Sequence, residues 1–160
     1  MRRHLAPLLA LLAATTLAPA AAAATGSGAD ALLGTWLTEP GDRGGRARVE
    51  ISRVGKPFVG RIVWLEEPDF PPGDPRAGEP KVDLENPDAK LRERPILGLR
   101  ILDGFTYTGP GEWSGGTIYD PANGKTYKAR MRLTGPDTLD VRGYVGIPLF
   151  GRTTAWKRVE

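Results

Sequence analysis

The sequence predicts an all-β domain, an antiparallel up-and-down barrel of about eight strands, on three observations. Strand signals recur through the chain at a spacing of roughly 8–12 residues. Between them stand tight-reversal signals, Gly55-Lys56-Pro57, Asn123-Gly124 and Gly135-Pro136-Asp137, which supply the φ angles that hairpins need. Finally, the first strand carries Gly34-Thr35-Trp36 and the last carries Trp156-Lys157-Arg158. An indole and a guanidinium so placed can stack if the first and last strands meet.

In chain order, residues 1–24 read as a secretory leader: Arg2 and Arg3, an apolar run over 5–17, then Pro19 and five alanines from Ala20 to Ala24. The run is shorter than the ~20 residues a membrane span needs, so cleavage rather than anchoring is expected, with no stable span afterwards. No Cys follows it, which excludes a lipoprotein anchor. The expected location is periplasmic or secreted. Residues 25–32 read as a flexible small-residue tail and 33–160 as a single domain.

Within that domain, strands are expected over 35–38, 46–53, 58–65, 96–103, 112–120, 126–133, 138–144 and 152–159. Residues 46–53 alternate, Val49 and Ile51 against Arg48, Glu50 and Ser52, as do 126–133, Tyr127, Ala129, Met131 and Leu133 against Lys128, Arg130 and Arg132. Residues 58–65 are nearly continuously apolar and read as a strand covered on both faces. Residues 66–81 hold Pro68, Pro71, Pro72, Pro75 and Pro80, which bars helix and central strand. That segment reads either as a flap over a barrel mouth or as an ordinary insertion. Asn86-Pro87 reads as an N-cap with proline at the first helical position, opening a short helix that Pro95 stops.

Composition narrows the chemistry. The chain has 22 Lys and Arg against 19 Asp and Glu, formally +3. Losing Arg2 and Arg3 leaves 20 basic residues and +1, so nothing points to a nucleic-acid partner. There is no Cys, and the one His, His4, lies in the leader. Triads, thiol nucleophiles and imidazole or thiolate metal sites are thereby excluded, leaving carboxylate, Lys, Tyr, Ser or Thr chemistry. The acidic residues around 69–85 lack the spacing of a calcium loop, and no metal or cofactor is expected.

Several motifs in one order carry a family resemblance. They are Gly34-X-Trp36, Gly60-Arg61-Ile62-Val63-Trp64, Asp83-X-X-Asn86-Pro87, Arg94-Pro95-X-X-Gly98, Trp113-X-X-Gly116-X-Ile118-Tyr119-Asp120-Pro121-X-Asn123-Gly124-Lys125-X-Tyr127, Arg142-Gly143-Tyr144 and Phe150-Gly151-Arg152-X-X-X-Trp156-X-Arg158. Together they resemble the bacterial DUF2147 family over residues 33–159, the Pro-rich 66–81 being longer than the pattern. The Gly-X-Trp with Arg on the last strand resembles the closure of lipocalin-like (calycin) barrels, with Trp36, Trp156 and Arg158 at the closing end. The resemblance implies a calycin-like barrel in an exported bacterial protein and brings no activity with it.

Two turn-rich segments are expected to flank the barrel mouth, Asp83, Asn86 and Arg94 in one, Asp120, Asn123, Lys125 and Tyr127 in the other. Asp83 or Asp120 as general base, with Lys125 or Arg94 on an anion, would make an enzyme. Ordinary turn and capping roles explain the same residues better, so an enzyme ranks third and no catalytic residue is assigned. Trp64, Trp113, Tyr119, Tyr127 and Tyr144 are core in a filled barrel and pocket wall in an open one. The leading expectation is a binding protein for a small hydrophobic or amphipathic, lipid-like ligand, its tail among Trp64, Trp113 and Tyr144 and an acidic head on Arg94 or Lys125. The alternative is an envelope interaction module with a filled barrel. Oligomeric state is not legible.

Overall fold

A computed structural model describes residues 28–41 and 45–159. The leader expected over 1–24 and residues 25–27 lie outside the described residues. Eight strands, β1 Gly34–Leu37, β2 Ala47–Arg53, β3 Phe58–Leu65, β4 Arg100–Gly109, β5 Glu112–Asp120, β6 Lys125–Gly135, β7 Thr138–Tyr144 and β8 Gly151–Arg158, follow one another around a closed barrel. Every neighbouring pair is antiparallel. The seam between β1 and β8 is short, with Trp36 opposite Arg158 and Leu37 opposite Lys157. Closure leaves no open sheet edge to cap.

Alternation places the core as expected on β2 and β6. Val49, Ile51, Ala129 and Met131 are buried, while Arg48, Glu50, Lys128, Arg130 and Arg132 face out. Bulges then break the alternation. On β3, Arg48 pairs with Trp64 but Val49 pairs with Ile62, so Val63 is an extra residue. Both Val63 and Trp64 are thereby turned outward, 44% and 37% exposed. The reading of 58–65 as covered on both faces is corrected accordingly.

The fourth strand also differs from expectation. It begins at Arg100 rather than 96 and runs on past 103 to Gly109. Gly104 sits at φ 75°, where glycine adopts the left-handed conformation without a Cβ penalty. Phe58 pairs with Phe105 and Gly60 with Leu102, so the bulge aims both Leu102 and Phe105 inward, each 0% exposed. Residues 96–99 instead form a turn, Leu99 N–H donating to Ile96 O at 3.1 Å. Its Ile96 and Leu99 still join the core, which explains their strand-like apolar pattern.

The expected helix after Asn86 is reduced to a 3-10 turn, Ala89–Leu91, capped by Asp88, whose side chain accepts from Lys90 N–H. Residues 28–32, expected as tail, form another 3-10 turn, Gly28–Leu32, with Leu32 fully buried. It plugs one end of the barrel. There Trp113 Nε1 donates to Ala29 O at 3.2 Å and Trp36 Nε1 to Leu32 O at 3.0 Å.

This plugged end is solid. Trp36, Phe58, Phe105, Trp113 and Leu102 are at most 1% exposed, and Trp113 stacks edge-on against Phe58 at 6.3 Å and 80°. Glycines there make room for neighbours rather than empty space. A Cβ at Gly60 would come within 2.8 Å of Leu102, and one at Gly116 would strike the Phe105 ring.

Candidate functional site

The other end is hollow. A cavity of about 720 Å³ occupies it, walled by Ile62, Leu65, Ile101, Ile118, Val141 and Trp156 and dotted with the polar groups of Tyr119, Tyr127, Tyr144 and Thr154. Its rim is made by the β1–β2, β3–β4, β5–β6 and β7–β8 connections, which an up-and-down barrel must all place at one end. Gly143 borders the space.

The Pro-rich segment forms part of that rim through Glu67, Phe70, Pro71 and Asp74. It is folded on itself: Phe70 N–H donates to Glu79 O at 2.9 Å and Lys81 N–H to Pro68 O at 2.8 Å, with an isolated bridge between Asp69 and Pro80. Arg76 lies over the Phe70 ring at 5.2 Å and bonds Glu79 at 2.7 Å. Those contacts make it a structured wall of the mouth. At its base Arg46 and Glu66 form an ion pair, Nη2 to Oε1 at 2.6 Å. That hydrogen bond holds the Glu66 carboxyl below its ordinary value and raises Arg46.

Opposite, a buried polar cluster ties the rest of the long β3–β4 connection to the barrel. Asp83 and Asn86 are buried, at 0% and 4% exposure. Asp83 Oδ1 accepts from the Tyr119 hydroxyl at 2.6 Å, and Oδ2 accepts from Asn86 Nδ2 and Arg94 Nε, each at 2.8 Å. Asn86 Nδ2 also donates to the Tyr119 oxygen at 3.1 Å, and Arg94 stands 5.4 Å over the Tyr119 ring. Asn86 is therefore a buried tie through Nδ2, while its Oδ1 makes the local turn bond, accepting from Asp88 N–H at 2.9 Å, and the cap of the 3-10 turn passes to Asp88. Asp83 accepts at both oxygens and is sealed from solvent, so it has no free face from which to act as a base.

Asp120 and Asn123 do turn chemistry. Asp120 accepts from Ala122 N–H at 2.9 Å and Asn123 Nδ2 at 2.8 Å, while Asn123 Oδ1 accepts from Lys125 N–H at 2.9 Å. The turn presses against the segment of the Asp83, Asn86, Arg94 and Tyr119 cluster, a clamp on the β3–β4 connection, and any side chain at Gly124 would collide with the Glu85 carbonyl. Gly124 also sits at φ 69°, so both space and backbone demand glycine there. The Asp83-X-X-Asn86-Pro87 and Asn123-Gly124 motifs are thus two halves of one contact.

Of the residues expected on the ligand, Tyr119, Tyr127 and Tyr144 line the cavity. Trp64 does not, since the β3 bulge turns it outward beneath Arg48 at 5.0 Å. Trp113 lies in the solid end. Lys125 is exposed outside the wall, and Arg94 is committed to Asp83, so neither reaches a head group in the cavity. Trp156, grouped with the closure, forms the cavity wall instead, its Nε1 donating to Thr154 Oγ1 at 3.0 Å. The closure is Arg158 over Trp36, 4.2 Å to the ring centroid, with burial pushing the Arg158 pKa down and Asp137 opposing. Ile62, Ile101, Ile118 and Val141 were not singled out from the sequence. Their signal is inward alternation, which every core residue shares.

Burial, then donation to Asp83, raises the Tyr119 pKa above its ordinary 10.0. A raised pKa means the folded state favours the phenol, so this stabilisation is present below about pH 10 and is lost as pH rises through the folded value. We expect the ultraviolet titration of the parent minus that of Tyr119→Phe to show a phenol ionising above the free-tyrosine range. A midpoint at or below about 10 would contradict the clamp.

Among solved structures, the chain is similar to one reported as "Protein HP1028 from the human pathogen Helicobacter pylori belongs to the lipocalin family". The two share 25% identity, with a TM-score of 0.69 over 81% of this chain and 83% of that one. No curated protein matches the chain. The family model for bacterial conserved proteins described as uncharacterized, DUF2147, matches residues 34–158. With its eight-stranded barrel plugged at one end and hollow at the other, the chain belongs to the DUF2147 family.

Proposed function

We propose that the protein binds a small hydrophobic or amphipathic, lipid-like molecule in the hollow end of its barrel. The observation that carries this reading is the cavity of about 720 Å³ with an aliphatic wall and a few hydroxyl groups, the composition of sites that take apolar ligands. A filled barrel, as the interaction-module alternative requires, is packed at both ends, and this one is packed at only one. The inner wall described above carries hydroxyls and one charged side chain, Arg152, which lies opposite Gly143 on β8, and the other charged groups stand at the rim. Affinity therefore comes from burial and orientation from the tyrosine hydroxyls, and Arg94 and Lys125, which lie outside the lining, drop out as partners of an acidic head. The leader-like residues 1–24 support a setting outside the cytoplasm.

The test uses protein recovered from the periplasm or medium, whose amino terminus should fall near residues 23–26. Titration with the neutral fluorophore N-phenyl-1-naphthylamine should give saturable enhancement. Ile118→Asp, which sets a carboxylate into the apolar wall, should weaken it about tenfold or more. Val63→Asp, on the outer wall, should not. Absence of saturable binding, or equal loss in both variants, would refute a cavity ligand.

A further inference from the structure

The β7–β8 connection is the least covered apolar surface among the described residues. Val145, Ile147, Leu149 and Phe150 are 67%, 54%, 75% and 69% exposed within six residues. Isolated apolar residues at a surface are ordinary, but four large ones on one loop tip are not. The tip is also held in shape rather than left loose. Val145 N–H donates to Phe150 O and Phe150 N–H to Ile147 O, both at 3.1 Å. From below, Arg142 Nε donates to Pro148 O at 2.7 Å and Nη2 to Leu149 O at 3.2 Å. These bonds satisfy backbone groups that would otherwise oppose entry into an apolar phase. They also use a guanidinium as the base of an apolar cap.

Charge and position say what covers it. Residues 141–152, which enter and leave the tip, contain Arg142 and Arg152 and no Asp or Glu. Next to the tip, the outward face of β6 adds Lys128, opposite Tyr144, and Arg130, opposite Arg142, both exposed. An apolar tip bordered by cations fits the anionic face of a lipid bilayer, whose surface potential attracts nearby basic groups. In addition, Val145 and Phe150 line the cavity mouth as well as the tip, so apolar surface is continuous from the outside of the loop into the barrel. The charged outer faces of β2 and β6 keep the barrel wall itself in water.

We propose that the tip over residues 145–150 is a membrane-docking element that sets the cavity mouth against an anionic lipid surface. Docking goes beyond ligand binding and can be measured without any ligand in the barrel, so failure of one leaves the other standing. Only a shallow insertion is implied, the tip entering the headgroup and upper acyl region as interfacial elements do. The cations on β6 would meet lipid phosphates.

Because the chain has no Cys, Ile147→Cys carries a single environment-sensitive fluorophore, and Lys56→Cys, in the turn at the plugged end, is the control. Protein purified from cells expressing the whole sequence is mixed with phosphatidylcholine vesicles, with or without a third of phosphatidylglycerol. The label at 147 should blue-shift on the anionic vesicles and the label at 56 should not. Partition should fall about tenfold on neutral vesicles and by a similar factor in Leu149→Ser/Phe150→Ser. Both substituted side chains are exposed, so the variant should melt like the parent. Absence of a shift, equal shifts at 147 and 56, or equal partition into neutral vesicles would overturn the proposal. So would a label at 147 that is already buried, without vesicles, as protein concentration rises, which would assign the tip to a second copy of the chain.

Discussion

Trp36→Ala should destabilise the barrel by about 3–5 kcal/mol, the range for large aromatic truncations in cores. Trp36 is 0% exposed and ties three things together at once. Its indole N–H holds the plug at Leu32 O, its ring carries Arg158, and its backbone is in the two-pair seam between β1 and β8. So short a seam has few ladder bonds to fall back on, and side chains must hold it. Arg158→Ala should cost about 2–3 kcal/mol, because beyond the ring contact the guanidinium donates to Leu33 O at 2.7 Å and Ala31 O at 2.6 Å. Trp64→Ala, by contrast, removes a half-exposed ring on the outer wall and should cost less than about 1 kcal/mol. Urea midpoints at constant slope measure all three. Equal midpoints for the Trp36 and Trp64 variants would show that the plugged end does not close the barrel.

Asp83→Ala comes next, at about 3 kcal/mol or more, since it strands Arg94, Asn86 and the Tyr119 hydroxyl around a buried void. Arg94 is 35% exposed at its side chain and can recover some hydration, which places the cost at the lower end of the range for broken buried pairs. Adding Arg94→Leu should restore part of the loss, because the stranded cation is then gone. The effect should be local as well as global, with amide exchange accelerating first in residues 82–98, which the cluster fastens at the mouth. A variant as stable as the parent, or one whose exchange speeds up only in the plugged end, would show that the cluster does not hold the mouth.

The barrel was legible because its determinants are local. Alternation over two residues and turn chemistry at Asn123-Gly124 can each be read along the chain, whereas the contact of Trp36 with Arg158 is what the resemblance to calycin closure implies. The clamp was half legible: its motifs stand out as Asp83-X-X-Asn86-Pro87 and Asp120-Pro121-X-Asn123-Gly124, but their local context offers capping and turn roles. Asp120 and Asn123 keep those roles. Asn86 keeps one through Oδ1 and Asp88 N–H, but Asp83 does not, because Arg94 and Tyr119 converge on it from 11 and 36 residues beyond.

The sequence by itself determined the all-β class and the strand count, since backbone sterics and side-chain periodicity act within a few residues. Tertiary structure alone decided which aromatics face inward and where the interior is empty. One extra residue at Val63 turns Trp64 out, and a left-handed Gly104 lets Leu102 and Phe105 both turn in. Whether a barrel is filled depends on the summed volumes of side chains from all eight strands at each level. Here the large rings of Trp36, Phe58, Phe105 and Trp113 gather at the plugged end and leave the other to smaller aliphatic groups. That distribution follows from register and bulges between strands, which no stretch of sequence carries alone.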